Sequence, residues 1–464
     1  MRYDTIRHVP VACFMAFAVA KAQTPPPSAA SAGRVTVHGD WALDSAPVPR
    51  PHVESHLAVN PRDNRHMIAV AIVPSDTLFS ASQDCAAYAS FDEGRNWRRR
   101  TFNVRTCLDP WVEILRDGSA LLAVMSGSRF LVFRSPDGGR SWDSTRVDLG
   151  GGHDHVMLVA DKRSDTAMGP VYALSGRMRR VPHGLHFGVF VARSDDGGRT
   201  FRDTATHVFS NVNFNPDRGM VFSDGSLVFT FTDFMRNVDG FRGQGHLERA
   251  RTWIVQSSDG GRTFSTLRLA GEICGMSGFP SAAVDPSEGT TRDRVYVSCA
   301  SRTRSEIRLA KSTQGLEVWS EPRRVDISAN SVVRRTVSVA VNSRGVVGVN
   351  WFEQVPGQRA ACQRVMFAAS FDGGDSFTAP VQVSSQHFCV DGPSNAVAAR
   401  RWAAGGEYSG FAAAPDGTFR VVWPDARDGL YRLRHAVVEA LAPAPISGVE
   451  TKPEQEDKRE TRNW

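Results

Sequence analysis

No helical period is sustained anywhere in the 464 residues, which excludes helix bundles and alternating α/β folds as the organising plan. No basic stripe stands out either, although 55 Lys and Arg face 49 Asp and Glu for a formal charge of +6, so the chain carries no nucleic-acid footprint. Apolar runs are short. The longest, Val9 to Ala20, follows Arg2 and Arg7 and ends near the small residues Ala20 and Ala22. That is the pattern of a secretory signal peptide over residues 1–22, too short to remain as a membrane span, and it predicts a secreted, periplasmic or cell-surface protein. Residues 23–33, "QTPPPSAASAG", read as a disordered linker, and 442–464 as a solvated charged tail. Tyrosine is scarce as well: six in the chain, five of them beyond the leader.

What the sequence has in abundance is one turn. Ser-x-Asp-x-Gly-x-x-aromatic occurs as "SFDEGRNW", "SPDGGRSW", "SDDGGRTF", "SSDGGRTF" and "SFDGGDSF", with Asp92, Asp137, Asp196, Asp259 and Asp372 at the third position. A worn copy, "STQGLEVW" from Ser312, fills the one gap, and the spacings are 45, 59, 63, 55 and 58 residues. Such periods signal a repeat architecture. Each octet has the chemistry of a hairpin tip: the Asp carboxylate bonds amides ahead of it, a Gly takes a backbone angle other residues resist, and the aromatic re-enters the next strand. These are scaffold residues.

A second repeat runs between the octets. Seven segments open with an apolar strand, pass a Pro/Asp/Gly turn and continue into another strand, from "HLAVNPRDNRHMIAVAI" to "SGFAAAPDGTFRVVWPDARDG". The seventh lacks a fourth strand, which "RVTVHGDWAL" near the start of the chain can supply. The expected fold is therefore an all-β propeller over 34–441, with seven four-stranded antiparallel blades favoured over six and the ring closed by an N-terminal strand. Six cysteines beyond the leader fall into three local couples, giving expected disulfides Cys85 with Cys107, Cys274 with Cys299 and Cys362 with Cys389; buried free thiols are the alternative.

The octets resemble the Asp boxes of bacterial neuraminidase repeats, and the 34–441 region resembles the sialidase-like β-propellers. The resemblance implies boxes on the face away from the active site, and a functional mouth near the heads of the innermost strands and the loops between second and third strands. The residues placed there are His52, Glu54 and His56; Asp109 and Trp111; His153 to His155; Arg218; Asp233 to Arg251; Arg302 and Arg304; Arg334 and Arg335; Glu353; Arg401, Glu407 and Tyr408; Asp425 and Arg427. Sialidase chemistry implies arginines for a sugar carboxylate, a Tyr nucleophile with a Glu base, and an Asp acid. Tyr408 alone among the tyrosines heads an innermost strand, so it is the nucleophile candidate, with Glu54 or Glu353 as base and Asp109 as catalytic aspartate. Arg335, Arg401 and Arg427, with Trp111, His153 and His155, are the expected substrate-binding set.

The first-arginine motif of sialidases is absent, and "RPHVESHLAVNP" stands in its place. Neither a metal nor another cofactor is called for, although His153, Asp154 and His155 have ligand chemistry. "GFRGQGHLERAR" suits either a lid or a solvated loop. A secreted hydrolase of acidic, sialic-acid-type glycans is the leading functional reading, with a glycan or glycoconjugate as partner and a monomer as the expected state. The alternatives are a carbohydrate- or protein-binding propeller without turnover and a structural surface module.

Overall fold

In the computed structural model the chain is described over residues 33–44, 50–74, 83–162, 169–181, 184–210, 214–235, 249–266, 268–271, 280–301, 303–327 and 332–443. Seven antiparallel sheets follow one another along the chain, which makes the fold a seven-bladed β-propeller. Blade 1 holds Val53–Asn60, Asp63–Val73, Asp84–Ser90 and Arg98–Phe102 in order. Blades 2 to 6 open with the inner strands Cys107–Ile114, His153–Ala160, Phe214–Val221, Ser281–Val284 and Arg334–Val341. Blade 7 opens with Gly410–Ala413, continues through Phe419–Asp425 and Arg432–Leu441, and takes its outer strand, Arg34–Ala42, from the other end of the chain. That pairing runs from Arg34 opposite Leu441 to Ala42 opposite Arg434, as the count of seven openings and one missing strand requires. Most strands are buried on both faces, so their sequences read as nearly continuous apolar runs such as "MIAVAIV" and "ALLAVM".

The octets connect the third and fourth strands of their blades, at the end opposite the inner-strand heads. In the third blade the Ser194 hydroxyl donates to Asp196 (2.8 Å), Gly198 N–H donates to that hydroxyl (2.8 Å), and Thr200 N–H donates to the carboxylate (2.9 Å). The same bonds recur around Asp92, Asp137, Asp259 and Asp372. The second conserved feature of the octet, its fifth-position Gly, has a packing reason. A Cβ on Gly198 would lie 2.4 Å from the Leu121 side chain of blade 2, and one on Gly94 would lie 2.5 Å from His435 of blade 7. Each turn therefore presses bare backbone onto the preceding blade, and the first octet presses on the last blade.

Two of the expected disulfides are present. Cys85 to Cys107 ties the third strand of blade 1 to the inner strand of blade 2, and Cys362 to Cys389 clips a short outer strand to blade 6. The third includes Cys274, outside the described residues.

His435 sits where the ring closes, stacked on Trp41 of the closing strand and edge-on to Trp97 after the first octet. Neither ring nitrogen has a hydrogen-bond partner, and burial, with Arg420 adding to it, pushes its pKa down to about 3. An unfolded histidine binds a proton below about pH 6.5, so this residue's contribution to stability is complete above that pH and is lost as pH falls toward the folded value. The expected result is that His435→Phe gains about 2 kcal/mol on the parent between about pH 7.5 and about pH 5, at roughly 1.4 kcal/mol per pH unit. Denaturant unfolding at both pH values measures it; a pH-independent difference would contradict the assignment.

Candidate functional site

The inner strands do not enter the mouth as regular strands. Blades 1, 2, 3 and 6 each carry a bulge at the strand head, between Val53 and His56, Leu108 and Trp111, Asp154 and Met157, and Arg335 and Ser338. At each bulge a non-glycine residue takes a positive φ: Glu54 (50°), Asp109 (46°), His155 (51°) and Thr336 (48°). A left-handed conformation costs such residues about 1 to 3 kcal/mol each, and four at equivalent positions around one opening mark a place where the fold re-aims side chains. A bulge also occurs in blade 4, between Pro216 and Arg218.

Glu54 is held from the far end of the chain. Trp402 Nε1–H, at the end of the short helix Ala396–Arg401, donates to its carboxylate at 2.9 Å, and its own amide donates to Gly405 O at 2.7 Å. Gly406 allows this approach, since a Cβ there would lie 2.8 Å from Glu54 Cα. The Thr336 hydroxyl donates to Gly406 O at 2.9 Å, and the Tyr431 hydroxyl donates to Trp402 O at 2.9 Å. The 402–409 loop is thus pinned to blades 1, 6 and 7 just before it delivers Glu407 and Tyr408.

Tyr408 carries a hydroxyl shielded from solvent with no hydrogen-bond partner. Burial, then the charges of Asp109, Glu54 and Glu407, raise its pKa well above the usual phenol value. Burial likewise raises Glu54 well above the carboxylate range, with Asp109 and Glu407 adding to it. Asp109 is raised by burial and by Asp154 against the opposing pull of His155, to whose backbone N–H it is bonded at 3.1 Å. Arg401, lying over the Trp402 ring at 4.6 Å, supplies opposing positive charge to Glu54, Asp109 and Glu407. Interacting carboxyls of this kind cannot all ionise together, so protonated and ionised forms coexist in one site. Asp109, Asp154 and His155 also bring three ligand-type atoms within 4.8 Å of one another.

Across the mouth, the Arg334 amide donates to Arg304 O at 2.8 Å, which sets Arg304 beside Arg335. Burial and the charge of Arg304 lower the Arg335 pKa, and Arg335 lines a separate small pocket with Phe352, Glu353 and Gln363 rather than the channel. Below the mouth runs a channel of about 380 Å³, lined by His56, Trp111, Arg218 and Tyr408 among others.

The structure thus brings Glu54, Asp109, His155 and Tyr408 together, with Arg401 beside them, and sets Trp111 deeper in the channel. Three expected residues are engaged elsewhere. Glu353 is buried and joined to Arg334 and Arg364, with Trp351 Nε1–H donating to it. Arg427 is held by Asp425 and Asp40 at 2.7 and 2.8 Å. His153 turns into its blade, onto the Ser175 hydroxyl and between the Phe130 and Phe190 rings, because the bulge breaks the alternation that would have paired it with His155. Arg302 and residues 236–248, which include most of "GFRGQGHLERAR", lie outside the described residues. On a regular strand Glu407 would point to the opposite face from its neighbour Tyr408. Both border the channel, because the 402–409 stretch is a loop. The anchoring role of Trp402 had no local signal: it contacts Glu54 across 348 residues.

No family model and no curated protein matches the chain. Among solved structures it is similar to an ulvan lyase of a new polysaccharide lyase family, at 12% identity and a TM-score of 0.50 over 86% of this chain and 95% of that one. It is also similar to a Hadza microbial sialidase (12%, TM-score 0.44, 76% of this chain and 73% of that one) and to Trypanosoma rangeli sialidase (13%, TM-score 0.43, 84% and 55%). At these identities the likeness is one of fold.

Proposed function

We propose that the protein is an exported carbohydrate-active propeller that hydrolyses acidic, sialic-acid-type glycans with Tyr408 as nucleophile. The observation that carries this reading is the Tyr408 hydroxyl, shielded and unpartnered among the carboxyls of Glu54, Asp109 and Glu407. A neutral phenol approaches an anionic sugar without the repulsion a carboxylate would meet. In the first step the Tyr408 oxygen bonds to the anomeric carbon as the glycosidic bond breaks; of Glu54 and Asp109, whose titrations are linked, the ionised carboxylate takes the phenol proton and the protonated one gives its proton to the departing oxygen. Water then attacks the same carbon as its bond to Tyr408 breaks, the carboxylate left ionised takes the water's proton, and Tyr408 recovers its own from the other. Arg401, whose charge acts on Glu54, Asp109 and Glu407, supplies the positive side of the site for an anionic substituent. The fold shared with the ulvan lyase supports a glycan as partner, and the two disulfides support a non-cytoplasmic location. Among the described residues no helix is long and apolar enough to cross a membrane.

The test is release of product from a fluorogenic α-sialoside, with the anomer first formed followed by proton NMR. Release with retained configuration is expected, because two displacements occur at one carbon. An acidic polysaccharide run in parallel and monitored for an unsaturated product separates hydrolysis from elimination. Glycan binding on an array without release of either kind of product would make the protein a binding propeller and overturn the catalytic reading.

A further inference from the structure

Beneath the mouth the channel contains an arrangement that the hydrolytic reading does not use. His56, in the inner strand of blade 1, lies face to face with Trp111 of blade 2, ring centres 3.8 Å apart and planes at 25°. Arg218 of blade 4 places its guanidinium carbon 4.6 Å from the Trp111 ring centre. Trp111 is itself fixed, its indole N–H donating to Leu158 O at 3.0 Å. Two residues from opposite sides of the opening therefore meet over one aromatic platform.

Their contact is between donors. The backbone N–H of Val112 donates to His56 Nδ1 at 3.3 Å, and a backbone N–H can only donate, so the neutral ring carries its proton on Nε2. That Nε2 lies 3.4 Å from Arg218 Nη1, which has only hydrogens to offer. Neither group satisfies the other, and both need an acceptor at the same point. The nearby acids do not supply it: Asp217, which burial raises well above the usual carboxylate range, accepts from the Thr232 hydroxyl at 2.9 Å on one oxygen and leaves the other unpartnered, and Glu113, the carboxylate that acts on Arg218, is paired with Lys162 at 2.8 Å. Burial lowers the pKa of His56 well below the usual value, with the charges of Arg218 and Lys162 adding to it, which keeps the ring neutral and its Nε2–H in place.

We propose that Arg218 and His56, laid on Trp111, form an oxyanion-binding site inside the channel, which takes a carboxylate or sulfate group of a glycan. One oxygen accepts from His56 Nε2–H and Arg218 Nη1–H together, and a second oxygen meets the remaining guanidinium hydrogens. The channel volume lies within the range of small-ligand sites. This site stands apart from Arg304 and Arg335 and does not depend on turnover at Tyr408.

The full-length protein labelled with ¹⁵N in its histidine rings tests it by NMR, the His56 signal being assigned by its loss in His56→Gln. Sodium sulfate and sodium glucuronate are titrated separately, with sodium chloride matched for ionic strength. A saturable shift of the His56 Nε2–H signal with sulfate, glucuronate or both, absent with chloride, is expected; which salt saturates tells whether sulfate or carboxylate is preferred. Arg218→Gln is expected to weaken it about tenfold or more, Arg218→Lys by less, and Arg335→Gln not at all. Unchanged His153 and His435 signals in the Arg218 variants report that the blades are intact. A linear response, one matched by chloride, or one that survives in Arg218→Gln overturns the site. Turnover of a sialoside without this saturable shift would overturn it and leave the hydrolytic reading standing, and the converse result would separate the two the other way.

Discussion

Tyr408→Phe is expected to lose roughly 10³-fold or more in kcat on an acidic glycoside while the protein remains as stable as the parent. The two halves of this result have one cause. The hydroxyl is buried without a partner, so its removal leaves nothing unsatisfied. Burying such a group costs about 1 to 3 kcal/mol, and the Phe variant should therefore be neutral or more stable by about 1 kcal/mol. A structural tyrosine would show the opposite: lower stability and little change in kcat once folded. Turnover rates beside denaturant melts of the same preparations decide between them, and retained turnover in the Phe variant would remove Tyr408 from the mechanism.

Arg334→Ala is expected to destabilise the fold by about 3 to 5 kcal/mol, the largest stability effect we anticipate from a single side chain. Arg334 is 0% exposed, its Nε lies 2.7 Å from Asp326 and 3.4 Å from Glu353, and its guanidinium also bonds backbone carbonyls of Ser305 and Val332. Deleting it takes the most buried cation from two buried carboxyls, leaving Asp326 with Arg324 and the Ile307 amide and Glu353 with Arg364 and Trp351. Chemical unfolding measures the loss, and a change below about 1 kcal/mol would show that the pair is solvated in a way its burial does not suggest. The same network separates the two candidate bases. Glu353→Gln should lower stability with modest effect on turnover, and Glu54→Gln should do the reverse. If Glu353→Gln instead abolished turnover at unchanged stability, the base would be Glu353.

The fold was legible because its rules are local and repeated. An octet fixes a turn by its own hydrogen bonds, an apolar run fixes a strand, and counting openings against strands gave both the seventh blade and its borrowed outer strand. The site was legible only to the level of which segments approach the mouth. Tyr408, Glu54 and Asp109 could be placed because each heads an inner strand. Which side chains turn inward depends on bulges, and a bulge changes the side-chain alternation by one residue, as at His153 and His155. Nor does a single sequence reveal which arginine has already found a carboxylate. Arg335 and Arg427 read alike as residues, yet one is buried with the repelling charge of Arg304 acting on it and the other is held by Asp40, brought from a strand nearly 400 residues earlier.

The pairing of Arg34–Ala42 with Arg432–Leu441 has a consequence in time. During synthesis, the strand Arg34–Ala42 must wait, edge unpaired, until almost every other strand has appeared. The contact that completes the ring is thus the slowest to form, since it closes the longest loop the chain contains. A ribosome that stalls, or a protease that trims the last strand, leaves an open arc of blades with a bare edge at each end. The pairing of the two end strands is in this way what decides whether the ring, and with it the channel, closes.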